Sequence, residues 1–278
     1  MTAIPAFGSE GGVAPKAVPL FEVFGLPITN SLVTSWVVSL FILLVIRLMV
    51  GKATLVPGRG QAIIESALSA LKDLITPIIG KKTVNAAYPL ILGLFFYILL
   101  QNWSGLLPGV GTMGFGLTDA AGKFHLMEPI IRPANADWNG TIALAIVAMT
   151  AWFIIVLNPK YGGIKLLAYD LFGNKADKKE LAVWMYYILS GIFAVVGLIE
   201  VFSICIRPFT LSVRLFGNVF GGENLLHQTG FVFPFYFLEL IVGFVQALVF
   251  ILLLSVYIGL ICNHGDDHED EHGEAAAH

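Results

Sequence analysis

The chain has 278 residues, 57% hydrophobic and 13% charged, with a formal net charge of −3 and a mean hydropathy of +0.82. Soluble domains carry about 25% charged residues, so a water-soluble globular core is excluded. Several apolar runs instead have the roughly 20-residue length that crosses about 30 Å of hydrocarbon, which predicts an all-α multi-pass membrane protein.

Residues 1–28 are rich in Gly, Pro and Ala, with a small apolar cluster at Phe21 to Phe24, and read as an extra-membrane lead-in. They lack the basic start and adjoining apolar stretch of a secretory signal and the Arg-rich pattern of an amphipathic leader. The first apolar segment is therefore expected to stay as an anchor. An integral membrane domain over 29–262 begins with a span at about Asn30 to Val50, closed by Arg47, Gly51 and Lys52. From Arg59 to Ile79 the pattern changes: Ile64, Ala67, Leu68, Leu71, Leu74 and Ile75 recur at helical period opposite Glu65, Ser69, Lys72 and Asp73. This predicts an amphipathic helix lying in the interface.

A span follows at about Pro89 to Leu107, stopped by Pro108-Gly109, and then a Gly-rich loop to about Ala136. Another span runs from Trp138 to Leu157, stopped by Asn158-Pro159, before a polar connection holding Lys160, Lys165, Lys175, Lys178 and Lys179. The apolar stretch from about Leu181 to Leu226 would be about 69 Å long as one helix, so it must tilt, lie partly in plane, or break near Arg207-Pro208. A last span from about Pro234 to Cys262 completes a long tilted hairpin, and 263–278 form a hydrophilic, acid- and His-rich tail too disordered in composition to read as a metal site. Five crossings and one interfacial helix result. Cys205 and Cys262 have no short spacing and read as buried small hydrophobes.

Basic residues orient the loops. Arg47, Lys52, Arg59, Lys72, Lys81 and Lys82 crowd one connection and the five lysines above another, while 109–137 hold only Lys123 and Arg132. The positive-inside rule puts the crowded loops in the cytoplasm, the N-terminus outside and the C-terminus inside.

The last two helices carry Glu200, Arg207, Arg214, Glu223 and Glu239. A charge at mid-membrane costs about 2.5–3.5 kcal/mol, so such groups face protein or water and mark an ion pathway; snorkelling from a helix end is the alternative, weightier for Arg207 than for Arg214. At 100° per residue Glu200, Arg207 and Arg214 share one stripe and Glu223 points to the opposite side. A reversal near Gly230 brings Arg214 level with Gln246 and Glu223 level with Glu239. Glu200 then lies about 21 Å from Arg214 toward the cytoplasm and Glu223 about 14 Å toward the outside. Two polar routes separated by one cation are a plausible layout.

Residues 207–223, Arg-Pro-Phe-Thr-Leu-Ser-Val-Arg-Leu-Phe-Gly-Asn-Val-Phe-Gly-Gly-Glu, resemble the signature of ATP synthase subunit a. Glu200, Asn218, Glu223, Gln246 within Val-Gln-Ala-Leu-Val-Phe, the run Arg132-Pro-Ala-Asn-Ala-Asp-Trp-Asn139 and Asn102 before Leu106-Leu-Pro108 extend the likeness over about 30–262. The resemblance implies that Arg214 is the essential arginine, a choice that spacing alone leaves open between it and Arg207. It implies partners in a rotating c-ring and peripheral-stalk subunit b, lipid around the chain, and a translocated proton, with sodium as the alternative. It implies an outer half-channel lined by Glu223, Glu239, His227 and Asp137 and a cytoplasmic one served by Glu200 and Thr210. The location implied is a bacterial inner membrane, with a mitochondrial or plastid membrane as the alternative. Where well-known bacterial members have His seven residues before the Gln, this chain has Glu239; His227, four residues after Glu223, is the candidate replacement imidazole or else an interfacial residue.

Blander roles stand beside these. Gln101 and Asn102 read as hydrogen bonds between helices, Asp137 as either an N-cap or an outer-channel residue, and Gly217, Gly221 and Gly222 as sites of close helix approach. No phosphate loop of Walker type is present, and no cofactor, metal or nucleic-acid partner is expected, so the chain reads as a non-catalytic ion-translocating subunit. A self-sufficient channel or secondary transporter is the alternative, and a passive membrane scaffold the weaker one.

Overall fold

The computed structural model describes residues 19–23, 26–51, 54, 56–107, 110, 114–118, 124–129, 132–158, 160, 163, 183–228 and 232–262. Six long helices dominate them: α1 (Asn30–Val50), α2 (Arg59–Ile79), α3 (Val84–Ser104), α4 (Trp138–Leu157), α5 (Val183–Gln228) and α6 (Val232–Cys262). All but α2 are long and apolar enough to cross a membrane, five candidate spans in all among the described residues. The fold is that of an all-α multi-pass membrane protein.

Local chemistry sets the ends. Thr29 is extended and its Oγ1 accepts from the Leu32 N–H at 3.4 Å, capping α1. At the other end Gly51 takes φ +58°, a backbone region that an L side chain rarely adopts, and its N–H donates to the Arg47 carbonyl. Helix α3 starts five residues earlier than the apolar run suggests, because Pro89 sits close enough to the first turn for its missing N–H to leave only the exposed Asn85 carbonyl without its bond. Helix α5 runs 46 residues without the break that Arg207-Pro208 allowed.

Three expectations need correction. The lead-in and the Gly-rich loop each contain an antiparallel hairpin: β1 (Pro19–Val23) pairs with β2 (Leu26–Thr29) in the register Glu22↔Pro27, and β3 (Gly114–Thr118) with β4 (Phe124–Pro129) in the register Thr118↔Phe124. These strands are short and interrupted by Gly or Pro, which hides their alternation. Cys262 is buried, but Cys205 is exposed on α5. On α2 the buried stripe is Gln61, Leu71, Ile75 and Ile79, while Leu74 and Ala67 are exposed, so the apolar side is wider than the face that packs. The tail 263–278, residues 1–18, His227's side chain and the lysines at 123, 165, 175, 178 and 179 lie outside the described residues.

The chain forms two compact units. The first takes residues up to Gly51, Phe95–Leu144 and Ser212–Leu248; the second takes Lys52–Leu94, Ala145–Leu211 and the chain from Val249 onward. In the second, a Cβ at Gly259 would overlap the Ile78 backbone, so α6 crosses the end of α2 at a glycine. The Tyr88 hydroxyl donates to the Leu68 carbonyl at 2.9 Å, and Ile75, Ile79, Ile91, Leu254 and Ile258 fill that unit's core.

Candidate functional site

The first unit is organised around a buried stretch of non-helical backbone, Arg132 to Asp137, with a single 3₁₀ turn at Ala134–Ala136. Backbone outside helices survives in a membrane protein only where its polar groups find partners inside the protein. Here the partners come from two helices, α1 and α3. The Arg132 N–H donates to Thr34 Oγ1 of α1 at 3.2 Å, the Ala134 N–H to Gln101 Oε1 of α3 at 3.2 Å, and the Asn135 side-chain amide to Asn102 Oδ1 at 2.8 Å. Arg132 turns back on the segment, its Nη2 donating to the Ala136 carbonyl at 3.0 Å. Glycines let it approach: a Cβ at Gly105 would sit 2.8 Å from Pro133 Cγ, and one at Gly140 2.6 Å from the Ala134 carbonyl oxygen.

Asp137 is 4% exposed and does two things. Its Oδ1 accepts from the Asn139 N–H at 3.4 Å, a weak N-cap on α4, and its Oδ2 accepts from Ser31 Oγ at 3.1 Å, tying α4 to α1. Asn102 links α3 to α6 as the sequence suggested, donating to the Gly243 carbonyl at 3.0 Å, with Trp103 Nε1 donating to the Leu240 carbonyl one turn away at 3.1 Å. Gly243 permits that contact, since a Cβ there would already stand 3.2 Å from the Asn102 Cβ.

The C-terminal part of α5 has two opposed faces. Ser212, Leu215 and Val219 are buried at helical spacing, with Ser212 Oγ donating to Thr141 Oγ1 of α4 at 3.0 Å. Trp138 meets Phe216 edge-on at 5.3 Å, and Phe216 stacks on Phe220. With that side committed to α4, Arg214 points away and is exposed, as are Val213, Gly217, Gly221 and Leu225. A Cβ at Gly217 or Gly221 would meet nothing within 4 Å. Asn218, one turn from Arg214, is half-buried.

Near the C-terminal end of α5, the Glu239 carboxylate of α6 lies so close to Gly222 of α5 that a Cβ there would collide with it. This contact puts Glu239 level with the residue preceding Glu223. Glu223 and His227 both fall within α5, and their side chains lie outside the described residues. Gln246, two turns from Glu239, is buried.

The other named positions belong to the second unit. Arg207 is buried, its guanidinium 3.9 Å from the centre of the Tyr257 ring, so a cation–π contact holds it against α6. Trp152 Nε1 fixes the same turn of α6 by donating to the Tyr257 carbonyl at 2.9 Å. Glu200 is half-buried two turns before Arg207 on the same stripe; Thr210 is exposed and its hydroxyl donates to the Arg207 carbonyl at 2.9 Å.

Sequence reasoning missed Ser31, Thr34, Thr141, Ser212 and Tyr257. A signal existed for the first two, because Asn30, Ser31 and Thr34 gather one polar patch at the start of an otherwise apolar span.

Helices that cross a membrane while holding amides, a buried carboxylate and an outward guanidinium define an integral membrane protein whose polar interior is built for more than anchoring. Residues 32–259 match the family described as ATP synthase A chain. The chain belongs to that family, the a subunits of F-type ATP synthases, and is a membrane-sector subunit. It is 29% identical over 245 residues to the ATP synthase subunit a of Gloeobacter violaceus, covering 86% of each chain. It is 30% identical over 244 residues to the sodium ion specific ATP synthase subunit a of Propionigenium modestum, covering 85% of this chain and 75% of that one. It is also 30% identical over 278 residues to ATP synthase subunit a 2 of Prosthecochloris aestuarii, covering 91% and 73%.

Proposed function

We propose that this chain forms two offset half-channels beside a rotating c-ring and couples ion flow to ATP synthesis through Arg214. The observation that carries the reading is Arg214's position on the outward face of a membrane helix, flanked by exposed glycines with open space above them. A guanidinium facing hydrocarbon costs about 2.5–3.5 kcal/mol, so this face calls for a partner bearing an anion. A ring of small subunits, each with a membrane-embedded carboxylate, supplies one.

The mechanism is electrostatic. A ring carboxylate crosses the lipid-facing part of its circuit protonated; beside Arg214 its ionised form is favoured and the proton leaves. Arginine does not lose its own proton, so Arg214 separates the two half-channels and obliges each ion to travel with the ring. Glu223, Glu239, His227 and Asp137, with Asn218 and Gln246, serve the outer half-channel, and Glu200 with Thr210 the cytoplasmic one. Two carboxylates in one restricted site, Glu223 and Glu239, share a proton. Such titratable groups favour the proton as the coupling ion, and pumping in sodium-free medium tests that choice. Helix α5 lies inclined to the membrane normal, α2 lies in the interface, subunit b joins the assembly, and the bacterial origin of the relatives supports a bacterial inner membrane.

The test is Arg214→Ala in membranes where ring copurification proves assembly. Coupled synthesis is expected to stop while passive proton leak through the membrane sector persists, and Arg214→Lys is expected not to restore synthesis, because a desolvated ammonium loses its proton. Normal synthesis in assembled Arg214→Ala membranes overturns the assignment. Proton conduction by the purified chain in liposomes without a ring would favour the self-sufficient channel instead.

A further inference from the structure

Three side-chain oxygens of the first unit form a continuous line. Thr29 Oγ1 lies 3.1 Å from Ser31 Oγ, and Ser31 Oγ donates to Asp137 Oδ2, also at 3.1 Å. Both steps fall within the about 2.6–3.2 Å over which positioned groups exchange a proton. The line also leads from accessible to inaccessible groups, since Thr29 is half-buried whereas Ser31 and Asp137 are each 4% exposed. Thr29 immediately precedes α1, and the distribution of basic residues puts that end of the helix at the outer surface.

The chemistry of the three groups fixes which way each hydrogen points. An ionised carboxylate only accepts, so Ser31 gives its single O–H to Asp137 and must accept from Thr29. Thr29 Oγ1 accepts from the Leu32 N–H at 3.4 Å, which uses one of its two lone pairs and leaves the second to receive from outer water. Each hydroxyl therefore has a hydrogen to give inward and a lone pair on which to receive. A proton relay requires both.

We propose that Thr29 and Ser31 form a hydroxyl relay that feeds protons from the outer surface to the buried Asp137 carboxylate. This deepens the function proposed above and rests on it. A proton from water binds the second lone pair of Thr29 Oγ1 as the Thr29 hydrogen passes to Ser31 Oγ and the Ser31 hydrogen to Asp137 Oδ2. At each hydroxyl one O–H bond forms and one breaks, so neither keeps a charge. The carboxylate gains one proton, which it hands on along the outer half-channel. Rotation of both hydroxyls about their Cβ–Oγ bonds then restores the starting order. In a purely structural role Thr29 caps α1 and Ser31 ties it to the start of α4, and an amide can replace the first of these hydroxyls as a cap but not as a relay.

The experiment uses the assembled membrane sector, ring included, in vesicles, with passive proton conduction driven from the outer face by a potassium diffusion potential. Thr29→Asn keeps a side-chain oxygen that caps α1 at least as well as threonine and an N–H to donate to Ser31, but its amide does not pass a proton on. Conduction should fall about tenfold, equivalent to about 1.4 kcal/mol of barrier, with the ring still copurifying. Thr29→Ser keeps the hydroxyl and should conduct as the parent does. Ser31→Ala removes the middle oxygen and should match Thr29→Asn; if it does not assemble, the two Thr29 variants decide. Equal conduction in Thr29→Asn and Thr29→Ser, whether both high or both low, overturns the relay, because a capping role treats the two alike. Parental conduction in an assembled Ser31→Ala sector overturns it as well. Normal synthesis in assembled Arg214→Ala would remove the functional reading as a whole, whereas an uncoupled Arg214→Ala beside an unaffected Thr29→Asn removes only the relay.

Discussion

Asn102→Leu tests the join between α3, α6 and the buried segment. Asn102 donates to the Gly243 carbonyl at 3.0 Å and accepts from Asn135 Nδ2 at 2.8 Å, and it is 6% exposed. Leucine removes both bonds. Side-chain hydrogen bonds in membrane bundles average about 0.6 kcal/mol each, so the direct loss is about 1.2 kcal/mol. Leaving the Asn135 amide buried without an acceptor costs more, about 1–3 kcal/mol. Together these predict a destabilisation of roughly 2–4 kcal/mol, measured by equilibrium unfolding in mixed detergent. Asn102→Asp is the control: burial favours the protonated acid, whose O–H can donate to Gly243 and whose carbonyl can accept from Asn135, so most of the loss should be recovered. A Leu variant within about 0.5 kcal/mol of the parent, the range of ordinary surface substitutions, would refute the account of this join.

Two further outcomes follow from the packing. Gly217→Leu adds a side chain where nothing lies within 4 Å, so the isolated chain should unfold as before while copurification of the ring is lost; undiminished copurification would show that this face meets no ring. For Arg207 on Tyr257, a double-mutant cycle with Arg207→Gln and Tyr257→Leu should give a coupling of about 1–2 kcal/mol in unfolding, and coupling near zero would mean that the ring merely lies beside the cation. Arg207→Ala should nonetheless leave more coupled synthesis than Arg214→Ala.

The helices were legible because membrane spans are read by length and apolarity, which need no knowledge of neighbours. Asn30–Val50, Arg59–Ile79 and Trp138–Leu157 appear in the structure with those bounds. The long apolar run also showed that something other than an upright crossing was needed, but not whether Pro208 ends the helix; whether one lost hydrogen bond breaks a helix depends on how its two halves are packed. The hairpins at Pro19–Thr29 and Gly114–Pro129 stayed hidden because strand pairing is non-local and these strands are too short for a period-two pattern to emerge. Likewise, spacing put Glu223 and Glu239 level across the turn, and the Glu239 contact with Gly222 agrees with that level. It could not supply Tyr257 for Arg207 or Thr141 for Ser212, since these partners lie 50 and 71 residues away in the chain.

The orientation of Arg214 follows from what the other side of the same helix must do. Between Ser212 and Val219 the buried stripe is fastened to α4 by the Ser212–Thr141 hydrogen bond and by the Trp138–Phe216 contact. A residue two positions beyond Ser212 is turned by about 200°, so packing this stripe drives residue 214 outward whatever its identity. A leucine there would suit lipid and spare the charge penalty of about 2.5–3.5 kcal/mol. The penalty is a sizeable fraction of the roughly 5–15 kcal/mol by which a domain folds, a cost that the isolated chain bears without gaining anything from the arginine. The gain has to come from outside. An anion reaching Arg214 must come close, and the exposed glycines at 217 and 221 give a neighbouring helix that closeness where larger side chains would hold it off. The same reasoning separates the two arginines: Arg207 has its partner in Tyr257 within the chain, whereas Arg214 faces outward, toward whatever packs against the exposed side of α5.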